Sequence, residues 1–304
     1  LRRKAFERLA QSSWSAILHE HGIRDLALLY LEQNREINKL RFSNLIQFIS
    51  FLRFPRATWL TLKQLSNLQN LLGNFADGKC ENPIFQTIRT VNNFSISDML
   101  TIALVGPGPI STNLGSKIDK YDLVARIGMR EIAQNDKSRH YGSKTNIVYL
   151  NGDQTHKLTQ EQLRKFEESR IFLFHRGMSK KYKNVFTEEV FNFDYLVSVS
   201  SMLSGIRSLF DLMAIGNANI DVFGMDFYSS SGNPWFLGYR DKNQTLDMNK
   251  IENRAGHDLL TSLSLARYLT LTSTGRIKFH DKRGNPMDLD IERYAHNMTK
   301  AFLI

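Results

Sequence analysis

The sequence predicts an α/β protein, with a single doubly wound, mostly parallel Rossmann-like sheet preceded by an α-helical region. From residue 101 onwards, apolar runs of strand length alternate with helical stretches, which is typical of a parallel sheet covered by helices on both faces. Before residue 76 the apolar residues instead recur at the three- and four-residue spacing of helices. The strand-like runs are residues 101–105, 122–126, 146–150, 171–175, 195–199, 220–224 and 277–280.

Residues 1–75 are predicted as a helical accessory region, because they contain a single proline, Pro55, and no β-branched alternation. Over residues 1–60, ten basic residues stand against five acidic ones. Residues 40–59 mix Phe, Ile and Leu with arginines, a composition typical of a helix that lies on an anionic membrane surface. A helical bundle with solvated basic faces explains the same residues, so both interpretations stay open.

Residues 76–100 are predicted as a linker, because Gly78, Pro83 and a cluster of Asn and Ser interrupt the helical periodicity. Residues 101–304 then form the predicted functional domain. Its clearest helices are expected at 159–169, 205–215 and 257–270.

The composition narrows the class of partner. The 304 residues carry a formal net charge of +10, which favours an acidic partner such as a nucleotide, an anionic sugar or a membrane surface. No nucleic-acid-binding motif is present, so nucleic acid is not expected as a partner. The single cysteine, Cys80, excludes a disulfide framework and a structural zinc site and suits a reducing cytoplasm.

The expected location is the cytoplasm, with peripheral association at an anionic inner membrane as the alternative that residues 40–59 leave open. No apolar run approaches the roughly 18–20 residues that a membrane-spanning helix needs. Because the chain starts at Leu1 and not at a methionine, we expect it to be a piece of a longer protein.

Candidate ligand residues follow the predicted strands. The first strand ends in the turn Gly106–Pro109, where glycines let the backbone approach a phosphate or a sugar closely. The spacing is not the dinucleotide fingerprint, and a plain tight turn explains the same residues. The strand over 146–150 ends at Asn151, which could bind a ligand or cap a helix.

Three further candidates lie at later strand ends and helix starts. Ser204-Gly205 opens a helix, where free amides and a hydroxyl could bind an anion or where serine could serve only as the N-cap. Tyr228 follows the strand that ends at Gly224 and could donate to a phosphate oxygen. His257 is preceded by a glycine at a predicted helix start and could act as a general base, although most lone histidines are structural.

In their order along the chain, these pieces resemble the bacterial sialyltransferases of glycosyltransferase family 42, and more distantly the sialylmotifs of the animal enzymes. The resemblance covers about residues 100–285. The motifs that carry it are Gly106-x-Gly108-Pro109, Asp122-x-x-x-Arg126, Tyr141-Gly142-x-Lys144, Val148-Tyr-Leu-Asn151, Ser204-Gly205, Gly224-Met-Asp226-Phe-Tyr228 and Gly256-His257.

The resemblance implies a metal-independent, inverting glycosyltransferase of the sialyltransferase-like GT-A variant, with residues 101–304 as the CMP-sugar-binding domain. Its partners would be a CMP-activated sugar acid and a glycan acceptor, with no cofactor beyond the donor. The catalytic residues implied are His257 as general base and Tyr228 at the departing phosphate. The substrate-binding residues implied are Gly106, Gly108, Pro109, Arg126, Asn151, Ser204, Gly205, Gly224, Asp226 and, as a substitute for a second phosphate-binding tyrosine, Tyr239.

This chain departs from the family where it has Pro107 and Gly128 in place of asparagines, and Pro234-Trp235 in place of the second tyrosine. These departures leave the donor sugar open between sialic acid and Kdo, the latter as in bacterial capsule or lipopolysaccharide assembly. An inactive sugar-nucleotide-binding module and a flagellin-type protein glycosylation factor also remain alternatives.

One Asp-x-Asp motif, Asp288-Leu289-Asp290, could bind a divalent metal as it does in other glycosyltransferases. It precedes a helical stretch far from the nucleotide strands, so helix capping is the favoured interpretation. No metal site is predicted.

Overall fold

The computed structural model describes residues 83–95, 97–128, 135–156, 158–175, 187–189, 203–229, 259–290 and 293–294. The strands in these residues are β1 Leu100–Val105, β2 Leu123–Ile127, β3 Ile147–Tyr149, β4 Phe172–His175, β5 Thr187–Glu189, β6 Ala218–Phe223 and β7 Ile277–Phe279. The helices are α1 Pro83–Val91, α2 Gly115–Ile118, α3 Asn135–Tyr141, α4 Gly152–His156, α5 Gln160–Glu168, α6 Ser204–Met213 and α7 Leu259–Thr272. No helix in the described ranges has both the length and the apolar character to cross a bilayer.

The strands form one sheet in the order β5-β4-β3-β2-β1-β6-β7, and every pairing is parallel. From β1 the chain builds the sheet outwards through β2 to β5. It then returns to the other side of β1 as β6, where Leu100 pairs with Ala218. This arrangement confirms the predicted α/β class with a single doubly wound sheet. The direction of winding reverses between β1 and β6, which makes their carboxyl ends the topological switch point.

Both faces of the sheet are apolar, because a strand that is covered on two sides must bury alternate side chains on each. Ile102 and Leu104 of β1 belong to a large core with residues of α1, α6 and α7. Ala103 and Val105 point to the opposite face, where they pack with Ile118 of α2 and other residues. Adjacent positions of one strand therefore serve two separate cores.

Part of the region predicted as a linker, residues 76–100, forms helix α1. Pro83 is its first residue, a position where proline costs no helical hydrogen bond. Ile84, Phe85 and Ile88 are buried in the large core, and Ile88 is 0% exposed. The broken periodicity reflects a short amphipathic helix that packs on the sheet, so this part of the predicted linker belongs to the sheet domain.

The edge of the sheet also differs from prediction. β5 occupies 187–189, a stretch without strand alternation, and among the described residues it pairs with β4 alone. The strand predicted at 195–199 and the helical region predicted at 1–75 lie outside the described residues. The other strand-like runs coincide with observed strands to within a few residues.

Candidate active site

The carboxyl ends of β1 and β6 meet through their backbones. The amide of Gly106 donates to the carbonyl of Phe223, and that of Gly108 donates to the carbonyl of Gly224, each at 2.7 Å. A Cβ atom on Gly106 would lie 2.4 Å from the Gly224 oxygen, and one on Gly108 would lie 2.6 Å from it. Glycine is therefore required at 106 and 108 by the close approach of the two turns, whatever they bind.

Tyr141, at the end of α3, holds the glycine-proline turn from the side. Its hydroxyl donates to the carbonyl of Gly108 and accepts from the amide of Ile110, both at 3.0 Å. Pro109 lies between these two contacts, so Tyr141 fixes the peptide units on both sides of it. Burial raises the pKa of Tyr141 to about 12, and the nearby charge of Asp226 acts in the same direction. The hydroxyl therefore stays protonated and able to donate near neutral pH.

The turn after β6 brings Gly224, Asp226 and Tyr228 to this same point. Gly224 has a φ of 61°, in the left-handed region that glycine adopts readily. The Oδ1 atom of Asp226 accepts from the amide of Tyr228 at 3.0 Å. Asp226 thus shapes the turn that carries Tyr228, which is partly buried against the large core.

Helix α6 starts at the same rim of the sheet. Its N-cap residue is Leu203, which makes no side-chain cap, so the alternative that Ser204 is the N-cap is wrong. A Cβ on Gly205 would lie 2.1 Å from Cε of Met225 and 3.1 Å from Cδ1 of Ile127. The absence of a side chain at 205 therefore lets the helix start pack directly against the end of β2 and the turn after β6.

The first four amides of α6 differ in their hydrogen bonds. The amides of Ile206 and Arg207 donate back to the carbonyl of Leu203. Those of Ser204 and Gly205 have no hydrogen-bond acceptor within the described part of the chain. Such amides at a helix start, together with the helix dipole, favour an anion.

Asn151 caps α4, as its helix-capping interpretation predicts. Its Oδ1 accepts from the amide of Gln154 at 2.9 Å, and its own amide donates to Oε1 of Gln154 at 3.2 Å. This reciprocal pair is a capping box in which asparagine takes the place of serine. A contact between Asn151 and a nucleotide stays a prediction.

Arg126 is 3% exposed, and its guanidinium binds the segment that carries Tyr141. It donates to the carbonyls of Tyr141 and Lys144 and to the hydroxyl of Thr145, over 2.7–3.1 Å. Burial lowers the pKa of Arg126 to about 10, while the charge of Asp119 opposes that change. These contacts give Arg126 a structural role at the site, and direct substrate binding by it stays a prediction.

A polar network that the sequence patterns did not reveal lies on the face of β6 opposite the large core. Nε2 of His280 and the hydroxyl of Tyr121 each contact the Asp221 carboxylate at 2.7 Å. Burial alone would raise the pKa of Asp221, but these hydrogen bonds and the charges of His280 and Lys278 outweigh it, so the pKa is lowered. No local spacing signals this network, since the histidine lies 59 residues from the aspartate.

The hairpin that follows His280 supports the loop after the glycine-proline turn. The amide and the hydroxyl of Ser111 donate to the carbonyl of Lys282. The hydroxyl of Thr112 donates to the carbonyl of Arg283. The segment after β1 is therefore held at Gly108 and Ile110 by Tyr141 and, further on, by this hairpin.

The Asp-x-Asp motif is engaged in capping. Oδ1 of Asp288 accepts from the amide of Asp290, and Oδ1 of Asp290 accepts from the amide of Arg293, both at 2.8 Å. The second oxygen of Asp288 pairs with Arg293 at 2.7 Å. In the described ranges, no group of three or more His, Cys, Asp or Glu residues could hold a metal ion.

Two predicted site residues, His257 and Tyr239, lie outside the described residues. Their roles stay predictions. The structure brings together Gly106, Gly108, Gly224 and the start of α6, with Asp226 and Tyr228 on the turn that follows Gly224. Tyr141 was not predicted as a site residue, although it begins the motif Tyr141-Gly142-x-Lys144.

No family model matches this chain, and a search of curated proteins finds no match. Among solved structures, the chain is similar to a mammalian sialyltransferase in complex with Gal-beta-1-3GalNAc-ortho-nitrophenol, at 12% identity and a TM-score of 0.36. A second structure of a mammalian sialyltransferase gives 11% identity and the same TM-score. Each alignment covers 83% of this chain and 88% of the other. A TM-score of 0.36 marks a loose likeness, so the fold class rests on the strand order of the sheet itself.

Proposed function

We propose that this chain is a metal-independent, inverting glycosyltransferase that moves a sialic acid-type sugar from its CMP donor to the hydroxyl of a glycan acceptor. The observation that supports it most is the junction of β1 and β6. There the glycine-proline turn, the turn that carries Tyr228 and the start of α6 share one rim of the sheet, at the switch point where doubly wound folds bind their ligands.

In this proposal the donor nucleotide lies along that rim. The amides of Ser204 and Gly205 face the phosphate of CMP, where the helix dipole favours negative charge. The nucleoside is placed over the turn that contains Gly106 and Gly108. Tyr228 donates a hydrogen bond to the phosphate oxygen that departs, which stabilises charge as it develops in the transition state.

The transfer itself breaks one bond and forms another. The bond between the anomeric carbon and the phosphate oxygen breaks, and CMP leaves with the electron pair. The acceptor oxygen attacks the same carbon from the opposite face, and its proton passes to His257. CMP is a good leaving group, so hydrogen bonds to its phosphate and one base are sufficient in principle.

The contacts of the Asp-x-Asp motif support a reaction that needs no metal ion. Both of its carboxylates accept backbone amides, and Asp288 also pairs with Arg293. A divalent ion there would have to displace these contacts. The net charge of +10 also favours a doubly anionic donor without a counter-ion.

The donor can be tested without knowing the acceptor. The purified chain is incubated with CMP-Neu5Ac or with CMP-Kdo, with and without EDTA, and CMP release is measured. We expect release that persists in EDTA and that falls about 10²–10³-fold in Tyr228→Phe, the range for the loss of one donor to transition-state charge. Tyr149→Phe is the matched control, because its buried hydroxyl has no hydrogen-bond partner in the described part of the chain.

Each outcome decides between the alternatives. Release from CMP-Kdo alone would move the donor from sialic acid to Kdo and keep the reaction. Loss of release in EDTA with recovery in Mn²⁺ would contradict metal independence. Binding of CMP without release from either donor would indicate an inactive sugar-nucleotide-binding module.

A further inference from the structure

The turn that carries Tyr228 contains two successive non-glycine residues in the left-handed region. Phe227 has a φ of 52° and Tyr228 has a φ of 57°. Non-glycine residues in this region are strained, and they persist only where surrounding contacts impose the conformation. Contacts elsewhere in the fold must therefore impose this turn.

Both polar atoms of the peptide group between Phe227 and Tyr228 are held by side chains. The hydroxyl of Tyr294, near the end of the described chain, donates to the Phe227 carbonyl at 2.7 Å. On the other side, Asp226 accepts from the Tyr228 amide at 3.0 Å. Because this peptide group is held at its carbonyl and at its amide, its plane is fixed, and with it the direction in which the side chain of Tyr228 leaves the backbone.

Burial adds to these hydrogen bonds. Phe227 is 1% exposed and its ring lies 5.9 Å from that of Phe279 on β7. Tyr294 is 6% exposed and belongs to the same core. Because water does not readily reach these buried residues, loss of the Tyr294 hydroxyl would leave the Phe227 carbonyl without a hydrogen-bond donor.

We propose that Tyr294 is a positioning residue for the reaction: it orients Tyr228 toward the departing phosphate by holding the carbonyl of Phe227. The proposal rests on the role of Tyr228 under the proposed function. Tyr294 would then affect catalysis through the turn at Phe227, which lies 67 residues earlier in the sequence.

A double-mutant cycle tests this assignment, because residues that act through one another are not additive. Donor hydrolysis is measured for the wild type, Tyr294→Phe, Tyr228→Phe and the double variant. We expect Tyr294→Phe to lower kcat by about 10–10²-fold, the scale of a misplacement near 1 Å, with little change in KM for the donor. The double variant should be no slower than Tyr228→Phe alone.

Tyr149→Phe is the matched control, since it removes a tyrosine hydroxyl from the same core without breaking a hydrogen bond within the described residues. We expect Tyr149→Phe to leave kcat unchanged alone and in combination with Tyr228→Phe. A second variant, Tyr294→4-aminophenylalanine, keeps a donor at the same ring position and should restore most of kcat. This variant answers the question even if Tyr294→Phe folds poorly.

The results separate this inference from the proposed function. Effects of Tyr294→Phe and Tyr228→Phe that multiply would overturn the inference alone, because Tyr294 would then act through general stability. A folded Tyr294→Phe variant with the kcat of the wild type would also overturn the inference alone. An unaffected Tyr228→Phe would overturn the role of Tyr228 in the proposed function, and the inference with it.

Discussion

Several side chains of the predicted site contact the protein backbone and not a ligand. Arg126 and Tyr141 bind backbone carbonyls, and Asn151 caps a helix. None of these contacts needs a substrate, and each one fixes a segment of the fold. The sequence motifs therefore include residues that stabilise the fold as well as residues proposed to contact the donor.

At the residue scale, the proposal depends most on His257. The sequence predicts His257 at a helix start, where the helix dipole favours the neutral ring that accepts a proton. We expect His257→Ala to reduce transfer to an acceptor by about 10²–10⁴-fold, the usual contribution of a general base. CMP affinity, measured by calorimetry, should be nearly unchanged, because the base contacts the acceptor.

His156→Ala tests one alternative base, because His156 ends α4 on the surface. Near-full transfer by His257→Ala at neutral pH would make His257 a structural residue. The base would then be sought among His156, His175 and Asp153. Of these, His175 is 4% exposed on β4, so burial keeps it from an acceptor.

At the scale of elements, the site depends on how closely β1 and β6 end together. Gly106→Ala would place a methyl group 2.4 Å from the carbonyl oxygen of Gly224, and neither backbone can yield without moving its turn. We expect this variant to lose both stability in urea and affinity for CMP, because the displaced turn is the one proposed to hold the nucleotide.

Gly275→Ala separates this effect from simple backbone strain. Gly275 has a φ of 83° and nothing within 4 Å of an added Cβ, so alanine there should cost about 1–2 kcal/mol of stability and leave CMP affinity intact. Gly106→Ala with the CMP affinity of the wild type would mean that the nucleotide does not depend on this turn.

Helix α1 sets the boundary of the sheet domain at the scale of the whole molecule. Arg89 donates to the carbonyls of Ser95, Ile215 and Asn217, so the helix is tied to the connection between α6 and β6. Burial lowers the pKa of Arg89, and the charge of Asp98 opposes this. Burying one large apolar side chain contributes about 1.5–3 kcal/mol, and α1 buries Ile84, Phe85 and Ile88.

A pair of truncations tests this boundary. A chain that begins at residue 76 should fold and bind CMP, whereas one that begins at residue 92 should unfold or precipitate, because the large core loses α1. Circular dichroism and CMP binding distinguish the two. If the chain from residue 92 stays folded with native stability, α1 is dispensable; if the chain from residue 76 folds but loses CMP binding, residues 1–75 take part in the site.

Local sequence was sufficient for most of the elements that could be compared. The apolar run at 101–105 and the Thr159 start of α5 follow from residues within a few positions of each other, and Thr159 indeed forms a capping box with Gln162. β5 was missed because its residues, Thr187–Glu189, carry no strand alternation and, in the described part of the chain, pair with β4 alone. Propensity acts over a few residues, so an edge strand that depends on its neighbour leaves little local signal.

The alternation of apolar runs and helices was enough to determine a doubly wound parallel sheet, and the glycine-rich strand ends marked one rim of it. Only the tertiary structure decided that β6 returns beside β1. The backbones at Gly106 and Gly224 then approach so closely that neither position has room for a side chain. The tertiary structure also decided that Tyr294 binds the Phe227 carbonyl, 67 residues away. The physical reason is that periodicity reports which face of each element is buried, whereas the partner on that face is chosen by packing across the whole chain.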